Sequence, residues 1–318
     1  MNKLILIQFF LIIISIGFSQ QIPQFSQYTR NHFFINPAAA GSYDIVDINI
    51  FGRSQWSGFD NSPKSSFVNF STSIKQKKKG YYNTDITNLS DVGTGFLKHA
   101  IGAQFQMDEY GAFQNMNFSG VYAIHLPISK KINVSFGTKI GFSNNNFISS
   151  RAEIKEGTND NTYIDYTRNN SNSFIFNLGT GLYVYSTRFF FGITADQLTK
   201  NLVKVASASN NFDPQIYYNA IGGVKLKLNN KVIVTPSFLI KYMTPAPISI
   251  EGTIQVEYNK RFWAGISYRN TDAIVGMLGM NINQKMKFGY SYDYSVSRFN
   301  RYSSGSHELF LGIMLGNR

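Results

Sequence analysis

The sequence predicts an all-β protein, a transmembrane antiparallel β-barrel of about 14 strands seated in an outer membrane. Three observations carry that expectation. An N-terminal export signal is followed by no second apolar run long enough to make a membrane helix. The composition is rich in aromatic residues and glycine and poor in charge. Two-residue alternation of apolar and polar side chains recurs along the chain in segments of strand length.

The leader comes first. Lys3 forms a short basic start, residues 4–18 are almost unbroken apolar sequence, and Gly17-Phe18-Ser19 sets small residues at the −3 and −1 positions of a cleavage site. The apolar run is about 15 residues, short of the ~20 that a spanning helix needs, so residues 1–19 read as a signal peptide. Gln20-Gln21-Ile22-Pro23 then turns abruptly polar. Residues 20–43 are expected to form an N-terminal periplasmic or plug-like segment, and residues 44–318 the transmembrane barrel.

With 43% apolar residues the chain can bury a large core, which excludes disorder as its main state. The 28 Phe, 19 Tyr and 26 Gly against 15% charged residues favour β-structure. Cysteine is absent, which removes a disulfide framework, a thiolate metal site and a lipid-modified N-terminal Cys. The net charge of +12 suggests anionic partners, yet Lys and Arg sit mostly singly at strand ends. The one real basic run, residues 75–79, reads as a solvated turn near anionic headgroups, and no nucleic-acid partner is expected.

The strands are expected, in order, at 44–53, 65–75, 98–108, 115–126, 131–143, 172–185, 188–195, 215–227, 231–241, 248–258, 262–269, 274–282, 285–294 and 306–315. The fifth sets Ile132, Val134, Phe136, Ile140 and Phe142 against Asn133, Ser135, Gly137, Lys139 and Gly141. In the tenth, Ile250, Ile254, Val256 and Tyr258 oppose Glu251, Thr253, Gln255 and Glu257. The thirteenth carries Met286, Phe288, Tyr290, Tyr292 and Tyr294 on one face and Lys287, Gly289, Ser291 and Asp293 on the other. The same pattern recurs at 116–126, 216–228, 232–242 and 309–315. A soluble sandwich alternates in this way too. A barrel is favoured because the polar face holds Gly, Ser, Asn and charges, as a wet lumen does, and aromatic residues bound the apolar face. Tight turns near 127–130, 186–187, 229–230, 259–260 and 283–284 alternate with long connections at 144–171, 196–214 and 295–304, the arrangement of short periplasmic turns and long outer loops. The segment 76–97 breaks this rule: it falls on the periplasmic side and is long.

Catalytic chemistry has little to stand on. The four histidines are His32, His99, His125 and His307. A barrel lipid hydrolase needs an oriented Ser–His pair, and no nucleophile elbow is present. His125 and His307 read as polar residues at strand ends. No HExxH, paired-Cys or carboxylate-dense metal motif occurs, and Gly179-Thr180-Gly181 sits inside a strand, where glycine relieves crowding. No enzyme activity, cofactor, catalytic residue or metal site is expected.

The informative region lies ahead of and around the first strand. Pro23-Gln24-Phe25-Ser26-Gln27-Tyr28 is followed by Ile35-Asn36-Pro37-Ala38-Ala39-Ala40-Gly41-Ser42, then by Arg53-Ser54-Gln55-Trp56-Ser57-Gly58-Phe59. Asn36-Pro37 and Gly41-Ser42 punctuate turns. Arg53 falls in the lumen-facing set and Trp56 in the first outer loop. These runs, with Gly305-Ser306-His307-Glu308 opening the last strand, resemble the PorP/SprF family of type IX secretion membrane proteins of Bacteroidetes, over essentially the whole mature chain. One departure is Ala39, where members usually carry an aromatic. The resemblance implies an outer-membrane barrel tied to type IX secretion and, in some members, to gliding motility. It also implies partners: a large secreted adhesin whose export or surface anchoring it supports, and periplasmic ring components of the machine. Asn36, Pro37, Gly41, Arg53, Gln55, Trp56, Gly58 and Phe59 carry over as family markers and candidate partner contacts. The competing expectation is a porin-like solute channel, which Lys139, Lys225, Lys227, Arg261 and Lys287 would bias toward anions. Bulky inward residues such as Phe51, Phe67, Ile221 and Leu239 argue for a partly filled lumen.

Overall fold

The computed structural model describes residues 24–58, 61–74, 92–152, 163–164, 173–199, 215–270, 272–296 and 303–315. They form one continuous antiparallel sheet of fifteen strand segments. In chain order these are β1 (Val46–Ser54), β2 (Lys64–Ile74), β3 (Lys98–Tyr110), β4 (Phe113–Ser129), β5 (Ile132–Phe147), β6 (Ser173–Ser186), β7 (Phe189–Asp196), β8 (Tyr217–Val224), β9 (Leu226–Lys227), β10 (Val232–Met243), β11 (Ser249–Tyr258), β12 (Phe262–Arg269), β13 (Ala273–Asn281), β14 (Met286–Ser295) and β15 (Ser306–Leu315). β8 and β9 are two pieces of one stave that skips a residue at Lys225, so the barrel has fourteen staves. Each stave pairs with its sequence neighbours, and β1 pairs with β15 from Val46↔Leu315 to Ser54↔His307. That last ladder closes the cylinder and leaves no open edge, the condition under which a sheet can sit in hydrocarbon.

The alternation sorts residues as expected. Outward positions are large, apolar and exposed: Ile140 at 52%, Phe142 at 51%, Ile254 at 53%, Ile266 at 59%, Leu278 at 58%. An apolar belt of this extent around a closed barrel is a lipid-facing surface, since water-soluble proteins rarely expose contiguous apolar patches beyond a few hundred Å². Inward positions on the same staves are buried: Asn49, Asn69, Glu251, Thr253, Gln255, Ser267, Lys287, Ser291 and Asp293, with Phe51, Phe67, Ile221 and Leu239 among them.

One expectation about connections needs correction. Three outer connections, at 111–112, 244–248 and 270–272, are as short as the periplasmic turns, the first because β3 runs on to Tyr110 and β4 begins at Phe113, and β5 likewise runs on to Phe147 and takes up residues read as loop. The basic run 75–79 and most of the 76–97 excursion lie outside the described residues. Its end, residues 92–97, packs at the periplasmic mouth, where Gly93 N–H donates to Ser42 O at 3.0 Å and Gly95 N–H to Asn133 Oδ1 at 2.8 Å.

Residues 24–45 do not lie on the rim. They enter the lumen as three single helical turns, Tyr28–Arg30, His32–Ile35 and Pro37–Ala39. The local sequence explains the broken path. Asn31 caps the second turn by accepting from Phe34 N–H at 3.2 Å. Asn36 caps the third from Ala38 N–H at 2.9 Å, with Pro37 at its first position, where proline's missing N–H costs nothing. Gly41 ends the run at φ +67°, a conformation that favours glycine.

Candidate functional site: the filled lumen

The core of the protein is the inside of the barrel, and the N-terminal segment supplies much of it. Phe25, Tyr28, Phe33, Ile35, Ala38 and Ala40 are all at most 5% exposed. Phe25 meets Phe34 edge-on at 5.0 Å and Phe51 at 5.5 Å, Phe34 meets Phe67 at 4.6 Å, and Phe51 stacks on Phe310 at 4.8 Å. Phe51 and Phe67 are therefore the wall half of an aromatic joint whose other half is the plug segment. Such edge and offset contacts add to the area they bury.

The wall is cut to receive this segment. A Cβ at Gly137 would overlap the Ala38 backbone, one at Gly181 or Gly192 would meet the Asn36 side chain, and one at Gly102 would sit 2.7 Å from Phe33 Cζ. Strand glycines weaken a sheet unless something approaches closely, and here something does. Asn36 Nδ2 donates to Leu182 O at 2.8 Å, hydrogen-bonding the plug to the wall between β6 and β7.

Toward the outer end the segment is pinned by charge. Arg53 reaches Asp293 at 2.8 Å and Glu308 at 3.3 Å, and Arg269 reaches Glu251 at 2.9 Å, Asp272 at 2.9 Å and Asp293 at 3.3 Å. Ser26 sits in the middle. Its Oγ donates to Asp293 at 2.8 Å and accepts from Arg53 at 3.1 Å and Arg269 at 3.2 Å. Glu308 accepts the backbone N–H groups of Ser26 at 2.7 Å and Gln27 at 3.1 Å. Tyr28 Oη donates to Thr253 at 2.9 Å, and Thr253 to Ser267. Buried charges persist when each is paired and its remaining lone pairs are satisfied, and the plug backbone provides part of that satisfaction.

Toward the periplasmic end the contacts are histidine–tyrosine pairs and a lysine. His32 Nδ1 is 2.7 Å from Tyr183 Oη, and its ring lies 4.1 Å from that of Phe190. Burial pushes the His32 imidazole down to about 3, so it is neutral at physiological pH. Burial likewise pushes the Tyr28 hydroxyl up to about 12. His125 is fully buried, with Nε2 2.8 Å from Ala40 O and Nδ1 2.9 Å from Tyr185 Oη, so it is a plug contact and not a strand-edge residue. Lys98 Nζ donates to Asp44 at 2.7 Å and to Ser42 O at 3.0 Å, clamping the segment's exit.

The sequence markers fall into two groups. Asn36, Pro37, Gly41 and Arg53 are buried inside the barrel with the partners just given. Gln55 and Trp56 are half-buried and Gly58 is exposed at the outer rim, where Trp56 N–H donates to Ser306 Oγ at 3.1 Å and Ser57 N–H to Gly305 O at 2.8 Å. Phe59 lies outside the described residues. The first outer loop is thus stitched to the last and extends the closing seam above the sheet. Of the cations expected to line a channel, Lys287 is buried in the lumen and Lys139 is paired with Asp196 at 2.8 Å, while Lys225 is half-buried between β8 and β9, Lys227 is exposed in β9 and Arg261 is exposed on a short turn. By sequence, Ser26, Gln27, Tyr28, His32 and Glu251 read only as motif, histidine or strand-face residues, and Arg269 is not named; none is a candidate site residue. The faint signal for the two wall charges was their place in the inward set of their strands. Each of the four histidine rings is hydrogen-bonded to a tyrosine hydroxyl: His32 to Tyr183, His99 to Tyr122, His125 to Tyr185 and His307 to Tyr290.

Among solved structures, the Acinetobacter baumannii outer membrane protein Omp33 is similar at 7% identity, covering 86% of this chain and 99% of that one with a TM-score of 0.48. The CymD monoaromatic hydrocarbon channel is similar at 9% identity, 90% and 91% coverage and a TM-score of 0.49. The P. putida toluene transporter TodX is similar at 8%, with 89% and 93% coverage and a TM-score of 0.47. No curated protein matches the sequence. The family described as type IX secretion system membrane protein PorP/SprF matches residues 17–313. That match takes in the plug segment and all of the barrel but the last two residues of β15, and the chain belongs to the PorP/SprF family of type IX secretion system membrane proteins.

Proposed function

We propose that this barrel is a non-enzymatic scaffold that supports the export or surface anchoring of a secreted adhesin, and not a solute channel. The observation behind the reading is the filled lumen. Residues 24–45 are held to the wall by an aromatic joint, an ion network and histidine contacts along the whole bore, and a solute path would require breaking all three. A barrel that keeps its centre closed offers its two ends for recognition. The outer loop bearing Gln55, Trp56, Gly58 and Phe59, stitched to the last loop, is the proposed contact for the exported partner. Asn36, Pro37, Gly41 and Arg53 act behind it by fixing the plug. The periplasmic face, with the end of the 75–97 excursion at its mouth, is the proposed contact for ring components of the secretion machine. The cleavable signal 1–19 brings the chain to the outer membrane in this scheme, and gliding would depend on it where the adhesin is a motility adhesin.

The test is deletion of the gene followed by quantitation of surface adhesins. Loss of one adhesin from the surface, restored by the wild-type gene, is the expected result. Normal export and attachment of every adhesin overturns the reading. A steady anion-selective current from the intact purified protein in planar bilayers would instead favour the channel.

A further inference from the structure

We propose that the periplasmic rim of the barrel is a binding surface for anionic phospholipid headgroups of the inner leaflet. Nine Lys and Arg lie on or beside the five short turns, and six exposed ones mark the surface: Lys131, Arg188, Lys227, Lys231, Arg261 and Lys285. Those segments, at 130–131, 187–188, 225–231 (which takes in the two-residue β9), 259–261 and 282–285, contain no Asp or Glu. None of the six makes an ion pair among the described residues, whereas Arg30, Arg53, Lys98, Lys139 and Arg269 in the lumen do; the buried Lys241 and Lys287 lie among the lumen polar groups. Those five lumen cations thus carry protein counterions, and the six rim cations carry none among the described residues.

General turn solubility does not account for this. The short connections at the other end, 111–112, 244–248 and 270–272, carry no Lys or Arg and one acid, Asp272. The rim cations also sit beside outward apolar residues: Ile128 is 68% exposed, Leu228 67%, Phe262 48% and Ile282 47%. An apolar side chain in the acyl region beside a cation at headgroup depth is the arrangement by which long basic side chains snorkel. Phosphodiester oxygens at that depth accept charge-assisted hydrogen bonds from ammonium and guanidinium groups. The occupant follows from the distribution. The six residues are spread over five turns, from β4–β5 round to β13–β14, with lipid-facing neighbours, and what surrounds a barrel on that perimeter is the lipid annulus. An acidic protein docking from one side would call for a cluster in one sector.

The experiment reconstitutes the full mature chain in nanodiscs of phosphatidylcholine containing a minority of phosphatidylglycerol and counts retained lipids by native mass spectrometry. Retained lipid should be enriched in phosphatidylglycerol about tenfold over the bulk, and the variant with all six residues changed to Gln should fall to within about twofold of it. Heat-modified gel mobility checks that the variant is folded, and a Lys131→Gln/Lys227→Gln/Lys285→Gln variant, milder on folding, should fall between the two. Absence of enrichment, or enrichment equal in wild type and both variants, overturns the proposal. Enrichment stripped by millimolar glycerol phosphate would assign the rim to free phosphates instead. Salt-sensitive binding of polyglutamate without any phosphatidylglycerol enrichment would assign it to an acidic protein.

Discussion

Replacing Arg53 with alanine tests the claim that charge pins the plug. In the folded protein the guanidinium lies 2.8 Å from Asp293, 3.3 Å from Glu308 and 3.1 Å from Ser26 Oγ, and it is 5% exposed. Its loss is not symmetrical for the two acids. Asp293 keeps Arg269 at 3.3 Å, while Glu308 keeps, among the described residues, the N–H groups of Ser26 and Gln27. Removing one member of a buried ion pair costs about 3–5 kcal/mol, because a charge is left without compensation. The surviving backbone donors place this case near the lower end, at about 3 kcal/mol. The assay is urea unfolding of the refolded mature protein in lipid vesicles, followed by tryptophan emission. Trp263 is a reporter of the plug itself: it is 3% exposed and lies under the Arg30 guanidinium at 4.4 Å. Adding Glu308→Gln to Arg53→Ala should restore about half of the loss, since a neutral amide leaves no buried charge. A loss below about 1 kcal/mol, or no restoration by the second change, refutes the pinning argument.

Three further outcomes follow from the same geometry. Gly137→Leu should push residues 37–38 off the wall, and because the chain has no cysteine, Ala38→Cys provides a clean probe. It should resist maleimide in the wild-type background and react in the Gly137→Leu one; equal protection in both counts against the seat. Stability should fall with acid through His32. Its folded value near 3 lies below the unfolded 6.5, so below pH 6.5 the unfolded chain takes up a proton that the folded chain refuses, and the loss grows down to about pH 3. At pH 5 this amounts to about 2 kcal/mol, measurable as a lower urea midpoint that His32→Phe no longer shows. Trp56→Ala should reduce adhesin display while leaving the unfolding midpoint within about 0.5 kcal/mol of wild type, because the side chain is only half-buried at the rim; a large shift in midpoint would make it a folding residue instead.

The barrel was legible because strand periodicity is local. Alternation in residues such as Ile250, Glu251, Ile254 and Gln255 states which face meets lipid without reference to any other part of the chain, and the count of staves follows from counting such stretches. The outer connections were less legible. β4 and β5 run beyond their expected ends through Gln114, Asn144, Asn145 and Asn146, polar residues that resemble loop until cross-strand pairing is seen. His125 was misread for a related reason: its position near a strand end said nothing about the Ala40 carbonyl that approaches it from 85 residues away.

What the sequence determined by itself was the cylinder, its lipid face and its family, all of which rest on short-range pattern or on contiguous motifs. What only the tertiary structure decided was the state of the lumen. Phe25, Ser26, Tyr28 and His32 carry no periodic signal, and the glycines at 102, 137, 181 and 192 look like ordinary strand glycines until the segment they admit is in place. A plug is a set of contacts between one short irregular segment and a dozen strands distant in sequence. Its partners are chosen by closure of the barrel, which brings Arg53, Asp293 and Glu308 together around Ser26 only after the last strand has met the first.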